Sequence, residues 1–447
     1  MINRRRFLQS VAASATLPAM SAGCAVAGAS VAELRPDPRR LFDLPLDYEY
    51  RVVSRVGTEM SDGLTVPGMH DGMAAFDGGN GRVRLVCNHE IRPEWTYAND
   101  LRARWKNLPE DTRALFYDRG EDITPGLGGT TTTIYNTVTR ETERQFLSLG
   151  GTDTNCAGGP TPWGSWLSCE ECFEWPGRVA FLDTPAHREK NHGYVFEVPS
   201  AADELTPAQA IKAMGRFVHE ACAVDPATGI VYMTEDQHQS LFYRFVPKVP
   251  GQLLAGGELQ VLAIDGRPMA ATHNWAYPEI RLNRPLPVHW LVLDDADPGD
   301  DVLRENGVAI GAATFARGEG LTFAGDRLAF TCTIGGPARL GQVFTYLPIT
   351  AETGQLELIA EAANDSVLKN ADNLTMAPWG DLIVCEDTGG NCALVGIRQD
   401  GSQYVLANNP YSDSELAGVC FSPDGKTLFV NIQYPGMTLA ITGPWPN

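Results

Sequence analysis

One unit occurs six times along this 447-residue chain. A polar residue opens a short apolar strand, a tight Pro/Gly turn follows, a second apolar strand returns, and polar residues close it. The copies begin at Asp71, Cys156, Glu220, Glu319, Asp372 and Ala417. Three of them read CAGGPTPWGSWLSCEE, EACAVDPATGIVYMTED and DNLTMAPWGDLIVCED. The register can be tested. In four copies a proline stands six residues after the leading residue (Pro162, Pro226, Pro378, Pro423), and in the other two that offset falls on Asp77 and Gly325, also turn formers. Each copy therefore predicts a β-hairpin, and runs such as Val231-Tyr232-Met233 carry the β-branched and aromatic bias of strands.

The leading residues lie 85, 64, 99, 53 and 45 positions apart. The shorter spacings fit a four-stranded blade and the longer ones leave room for inserted loops. The expected fold is all-β, a six-bladed β-propeller formed as a single domain by residues 31–447. A pair of β-sandwiches is the alternative architecture, but it would not account for the shared register. The best helix candidate is residues 201–213, with Thr206 as N-cap and Pro207 in the first turn.

Composition narrows the function. With 43% hydrophobic and 20% charged residues the chain is neither disordered nor a coiled coil. Lys+Arg 35 against Asp+Glu 55 gives a net charge of −20, which repels phosphate backbones and excludes nucleic acid as a partner. A small anionic substrate is compatible with that charge if bound cations reverse its sign locally.

Residues 1–30 read as a targeting segment. Arg4 and Arg5 followed by Phe7 and Leu8 resemble a twin-arginine export signal, and the small-residue stretch after them is too short and too polar to span a bilayer. Ala25-Val26-Ala27 offers a cleavage site, while Ser21-Ala22-Gly23-Cys24 offers a lipoprotein box with a poor first residue. The expectation is a periplasmic or secreted protein, delivered by the twin-arginine export machinery, with lipidation at Cys24 as the alternative.

In a propeller the innermost strands line a central channel, so residues of equal register converge although they are distant in sequence. Here those residues are four carboxylates, one thiol and Ala417; Glu415, two residues before Ala417, points the same way in an extended strand. The second strands add Glu90, Glu170, Glu171, Glu235, Asp236, Glu386 and Asp387 near the same mouth. Carboxylates gathered within a few ångströms either take up protons or bind cations. Hard oxygen ligands select Ca2+, Mg2+ or ferric iron, and one thiolate among them favours a transition metal at one position. Arg317 precedes Glu319 by two residues, and an arginine facing a cationic cluster calls for an anion such as a substrate phosphate. His89 and His219 each precede an acid of interest and so face the other side of their strands. Cys169-Glu-Glu-Cys172 is a weak metal or redox motif, because neighbouring strand residues alternate faces, and Cys385 and Cys392 offer a disulfide across a loop.

At these same residues the sequence resembles the PhoX family of exported bacterial alkaline phosphatases. The matching runs are NCAGGPTPWGSWLSCEE from Asn155, GRFVHEACAVDP from Gly215, VYMTEDQ from Val231, RGEG from Arg317 and ELAGVCFSPDGKTLFVNIQYPG from Glu415. The resemblance implies a six-bladed propeller holding two ferric ions (Fe3+) and several calcium ions (Ca2+), with phosphate esters as substrate; a monomer is the expected state, with oligomeric state left open by the sequence. Carried over by motif, it makes Cys156 an iron ligand, and Glu220, Glu319 and Asp372 metal ligands of the same cluster. Glu171, Glu235, Asp236, Glu386 and Asp387 divide between iron and calcium, and Arg317 is the phosphate-binding and catalytic arginine. A calcium-dependent lactonase or carboxylic-ester hydrolase, and a non-catalytic binding propeller, are the alternatives on the same architecture.

Overall fold

The computed structural model describes residues 33–446 except 96–97 and 182–183. The expected signal segment, with Arg4, Arg5 and Cys24, lies outside the described residues.

Six hairpins form where the repeats place them. Their first strands are His70–Gly79, Asn155–Pro160, His219–Val224, Gly318–Ala324, Ala371–Met376 and Leu416–Phe421, and each leading residue is the second residue of its strand. These six strands contact one another in a closed ring, the sixth against the first. Each is the innermost strand of one blade. The first blade continues through Arg82–His89, Gly128–Asn136 and Glu141–Thr152. The second has three strands, and the third and fourth are joined at their outer edges by Leu286–Val292. The sixth is completed by Glu49–Arg55 from the start of the described chain, which pairs with Met437–Thr442. Closing the ring with a strand from the other end of the chain removes a free sheet edge.

Every inner hairpin carries the same irregularity. The pairing gains one residue on the inner strand between 70 and 73, 155 and 158, 219 and 222, 318 and 321, 371 and 374, and 417 and 420. A bulge bends its strand and re-aims the side chains beside it. Repeated six times at the leading residue, it turns that end of each strand toward the axis. Small residues let the blades close there. A Cβ at Gly72 would lie 2.5 Å from the Ala157 Cα, and one at Gly320 would lie 2.7 Å from the Asn373 Cα.

Polar side chains of the second strands tie the bulges of neighbouring blades. Asn88 donates to the Cys156 and Ala157 carbonyls at 2.9 and 2.6 Å, and the Thr331 hydroxyl to the Asp372 carbonyl at 2.7 Å. Thr234 reaches the Glu319 carbonyl and Asn431 the Asp71 carbonyl. Behind them the blades bury aromatic stacks such as Phe242–Phe330–Phe344, each fully buried ring contributing roughly 1.5–3 kcal/mol.

The expected helix over residues 201–213 does not form. The Thr206 amide and hydroxyl both donate to the Ser148 carbonyl, the Ala208 amide to Leu115 and the Ile211 amide to Val195. The segment's donors are taken by two neighbouring strands and by the turn at Leu115, and only the short turn Lys212–Met214 is helical. The longest helix among the described residues, Leu303–Ile310, lies in the inserted segment before the fourth blade.

Candidate metal centre and active site

A cavity at the end of the ring draws all of its lining but Trp95 from three positions that recur in each blade. The first is the leading residue. The second is two residues earlier: Met69, Thr154, Val218, Arg317, Asn370 and Glu415. The third follows the second strand: Glu90, Glu171, Asp236, Thr333, Asp387 and Gln433. In all six blades the amide of the third position donates to the carbonyl of the second, at 3.0, 2.9, 3.2, 3.0, 2.9 and 3.3 Å in blade order. At four of the second positions, Met69, Thr154, Arg317 and Asn370, the backbone is left-handed, with φ of 49°, 49°, 55° and 47°. A non-glycine residue held there costs roughly 1–2 kcal/mol, offset by the surrounding hydrogen bonds.

The cavity has a volume of about 350 Å³ and is lined by Asp71, Glu90, Glu171, Glu220, Glu319, Asp372, Asp387 and Glu415, with Cys156, Arg317, Gln433, Met69 and Trp95. Eight carboxyl groups thus face one guanidinium. Three donor sets lie within them: Cys156, Glu171 and Glu220; Asp71, Glu90 and Glu415; and Glu220, Glu319 and Asp372. Within each set the ligand atoms are all within 4.8 Å of one another, and Glu220 belongs to two sets.

Burial pushes the Glu90, Glu171, Glu220, Glu319, Asp372 and Glu415 carboxyls well above the ordinary carboxylate range, and repulsion from neighbouring acids adds to it. Burial likewise pushes Asp71 up to about 6. The Cys156 thiol is pushed up by burial and then by Glu220 and Glu171. Two unit charges 4.8 Å apart repel by roughly 3.5 kcal/mol at an effective dielectric constant of about 20. Protonation or multivalent cations can remove that repulsion. The donor set fits cations: hard oxygens throughout, one sulfur at one edge, and nearly all carboxyls with no basic partner but Arg317.

Arg317 is held rather than free. Its Nε and Nη2 donate to Asp236 at 2.8 and 2.7 Å as a fork, and Nη2 lies 2.8 Å from Glu319 Oε1. Glu319, then Asp236, keep the guanidinium firmly ionised. Nη1 has the Asp387 carboxylate at 3.8 Å, beyond hydrogen-bond range.

The structure brings together Cys156, Glu171, Glu220, Glu319, Asp372, Asp387 and Arg317, and sets Asp236 behind Arg317. It does not bring in Glu235 or Glu386, which corrects that expectation. Glu235 pairs with Arg304 at 2.7 Å and accepts the Leu241 amide and the Tyr243 hydroxyl. Glu386 accepts the Lys369 and Ala393 amides. Both are the last paired residue of their strands, so their side chains face away from the cavity that the next residue enters. Glu170 does the same, accepting His192 Nδ1 at 2.6 Å and the Asp153, Gly193 and Tyr194 amides. Cys169 faces Cys222, with the sulfurs 3.3 Å apart, and Cys172 faces the Asp153 carbonyl, so the C-x-x-C residues form no common site. The nine described cysteines are free thiols, Cys385 and Cys392 included. The sequence reading missed Trp95, which lies in an inserted loop with no repeat to mark it.

A closed ring of blades whose axis ends in a thiol, eight carboxyls and one forked arginine defines a β-propeller with a candidate metal centre. The chain belongs to a family that has such a fold: its sequence matches Alkaline phosphatase PhoX over residues 29–134 and 122–436. It is thus a metal-dependent phosphoric ester hydrolase by family. The solved structure of Pseudomonas fluorescens PhoX, in complex with vanadate as a transition-state analogue, has the same fold. The match has a TM-score of 0.65 and 19% identity over 92% of this chain and 97% of that one. A putative gluconolactonase matches with a TM-score of 0.41 and 12% identity, over 92% of this chain and 98% of that one. A catalytically inactive virginiamycin B lyase from Staphylococcus aureus matches with a TM-score of 0.40 and 10% identity, over 89% and 99%. Comparison with the sequences of curated proteins gave no match.

Proposed function

We propose that the cavity at the ring's end hydrolyses phosphate esters with ferric iron and calcium held by its three donor sets. The observation that carries this reading is the sharing of Glu220 between a sulfur-containing set and an all-oxygen set. Cys156, Glu171 and Glu220 would hold iron, because thiolate selects a transition metal. Asp71, Glu90 and Glu415, and Glu319 and Asp372 beside Glu220, are all-oxygen donors suited to calcium. Bound cations would offset the carboxyl charge and polarise the phosphoryl oxygens.

The chain's own residues do the rest. Asp236 and Glu319 occupy Nε and Nη2 of Arg317 and fix the plane of its guanidinium, so Nη1 is the donor turned to a phosphate oxygen. A fixed, permanently charged donor placed where charge develops lowers the barrier without reorganising during the reaction. Among the described residues lining the cavity there is no histidine, so a lactonase using a histidine base on one calcium is not favoured. The same reading takes the chain across the membrane folded, by twin-arginine export of a monomer; replacing Arg4 and Arg5 by lysine should leave the protein in the cytoplasm.

The test is elemental analysis of the purified protein beside hydrolysis of p-nitrophenyl phosphate. Iron and calcium bound together, with turnover lost on chelation and regained on adding both ions, is the expected result. Full turnover after exhaustive chelation would overturn the proposal.

A further inference from the structure

Two sulfurs meet across the junction between the second and third blades. Cys169 lies in the second strand of the second blade and Cys222 in the innermost strand of the third, 53 residues further along. Their Sγ atoms are 3.3 Å apart, and both side chains are buried. Each stands at a bulge. Cys169 lies between Ser168 and Glu170, whose partners Gly158 and Asn155 flank the bulge of the second blade, and Cys222 closes the bulge of the third. Within its own blade Cys169 is paired with Val195 and Cys222 with Met233. The two strands belong to different sheets, with no ladder between them, and at this point a weak thiol–thiol hydrogen bond joins them. A disulfide holds its sulfurs about 2.05 Å apart, so this pair has about 1.3 Å to close. Cys156 stands outside the pair: its Sγ faces the carbonyls of Cys169, His219 and Glu220 at 3.9, 3.3 and 3.9 Å.

We propose that Cys169 and Cys222 form an oxidation site: exchange with a soluble disulfide joins them covalently and latches the second blade to the third, leaving Cys156 a thiol. Either cysteine, as thiolate, attacks one sulfur of the reagent and expels its first half as a thiol. The remaining cysteine then attacks the protein sulfur of that mixed disulfide and expels the second half. Two thiols and one disulfide enter, one disulfide and two thiols leave, and no net proton is exchanged. Both cysteines are buried, so the exchange is confined to chains whose second and third blades have parted or have not yet closed. The bond closes a loop across 53 residues, and that constraint falls mainly on the unfolded chain, which loses freedom the folded chain has already given up. The latch stands apart from the phosphatase reading, since no metal or ester enters it.

The experiment refolds the urea-unfolded protein, with chelator present, in buffers of reduced and oxidised glutathione, blocks the remaining thiols with N-ethylmaleimide and maps the peptides by mass. The wild type should yield Cys169 linked to Cys222, with Cys156 alkylated, and reduction should release the link. The oxidised protein should melt roughly 3–5 °C above the reduced one in the same chelator. Cys169→Ser and Cys222→Ser should each lose both the link and the rise in Tm, while Cys420→Ser, at a half-buried thiol elsewhere in the ring, should keep both. Folded protein held for days in the same buffers, in urea just below its unfolding transition, gives the same reading without complete refolding. Alkylation of both cysteines at every glutathione ratio by both routes, a link to Cys156 instead, or a link that leaves Tm unchanged overturns the inference.

Discussion

Replacing Glu220 by glutamine should act in opposite directions on the metal-free and the metal-loaded protein. Glu220 lies within 4.8 Å of ligand atoms from Cys156, Glu171, Glu319 and Asp372. Were all ionised, each of its three carboxylate pairs would cost roughly 3.5 kcal/mol at an effective dielectric constant of about 20. That total rivals the whole stability of a domain, roughly 5–15 kcal/mol, so the metal-free cavity must hold protons instead. Removing one acid therefore recovers only the cost of keeping one carboxyl protonated at alkaline pH, roughly 2–4 kcal/mol at about 1.4 kcal/mol per pH unit. With chelator at pH 8, Glu220→Gln should raise Tm by roughly 3–6 °C. The loaded protein loses a ligand common to two donor sets. A hundredfold fall in affinity at each of the two sets removes about 2.7 kcal/mol of ligand-linked stabilisation apiece, about 5.4 kcal/mol together, so the rise in Tm on adding metal should shrink by more than the chelated protein gained. Thermal denaturation with and without chelator, beside elemental analysis, reads both arms. A lower Tm for Glu220→Gln in chelator, or unchanged metal content, would refute the reasoning: the first would make Glu220 an ordinary structural acid, the second would remove it from the ligands.

The chelated wild type should itself melt at a lower temperature at pH 8 than at pH 5. Asp71 has its carboxyl raised to about 6 by burial, so the folded state keeps that proton longer than the unfolded one; the stability is present below the unfolded value and is lost as pH rises through 6. Saturating metal should flatten this dependence. Arg317→Ala should lower kcat/KM for p-nitrophenyl phosphate by roughly 10²–10³ with metal content intact, and Arg317→Lys should recover little, because lysine lacks the fork that Asp236 holds. Glu235→Gln should leave metal stoichiometry unchanged but destabilise the protein by roughly 3 kcal/mol, since it breaks a buried pair with Arg304; a lost metal ion would return Glu235 to the centre.

The repeat register made the ring and the leading residues legible, because a turn proline is a local signal and fixes which strand residue opens each hairpin. Three features had no such signal. The bulge leaves nothing in composition, and it is what turns Asp71, Cys156, Glu220, Glu319 and Asp372 inward together. The left-handed residues at the second position are unmarked too: only Asn370 is of a type that favours that conformation, while Met69, Thr154 and Arg317 are forced into it by pairing with the third position. Finally, alternation says that only one acid of Glu170-Glu171, Glu235-Asp236 or Glu386-Asp387 faces the axis, but not which one. That depends on where the strand's last pairing falls, and a shift of one residue exchanges the two faces. Glu235 and Glu386 were misplaced for this reason alone. The helix expected over 201–213 failed differently, through competition from strands whose carbonyls sequence cannot locate.

The three donor sets divide the ring in a way that makes the centre a clasp as well as a site. Cys156 and Glu171 of the second blade meet Glu220 of the third. Asp71 and Glu90 of the first meet Glu415 of the sixth, and Glu220, Glu319 and Asp372 join the third, fourth and fifth. Cations in these sets would cross four of the six blade junctions. The two that remain are closed without charge: Asn88 donates to Cys156 and Ala157 between the first and second blades, and the Gly418 amide donates to Asn373 Oδ1 at 2.8 Å between the fifth and sixth. The junction of sixth and first is also where the two ends of the propeller meet, since Glu49–Arg55 completes the sixth blade. Emptied of cations, the cavity concentrates repulsion where all six blades converge; filled, it draws them inward. On the proposed function, the acids that hold the cations would therefore also set how firmly the ring closes, and removing one of them should alter both together.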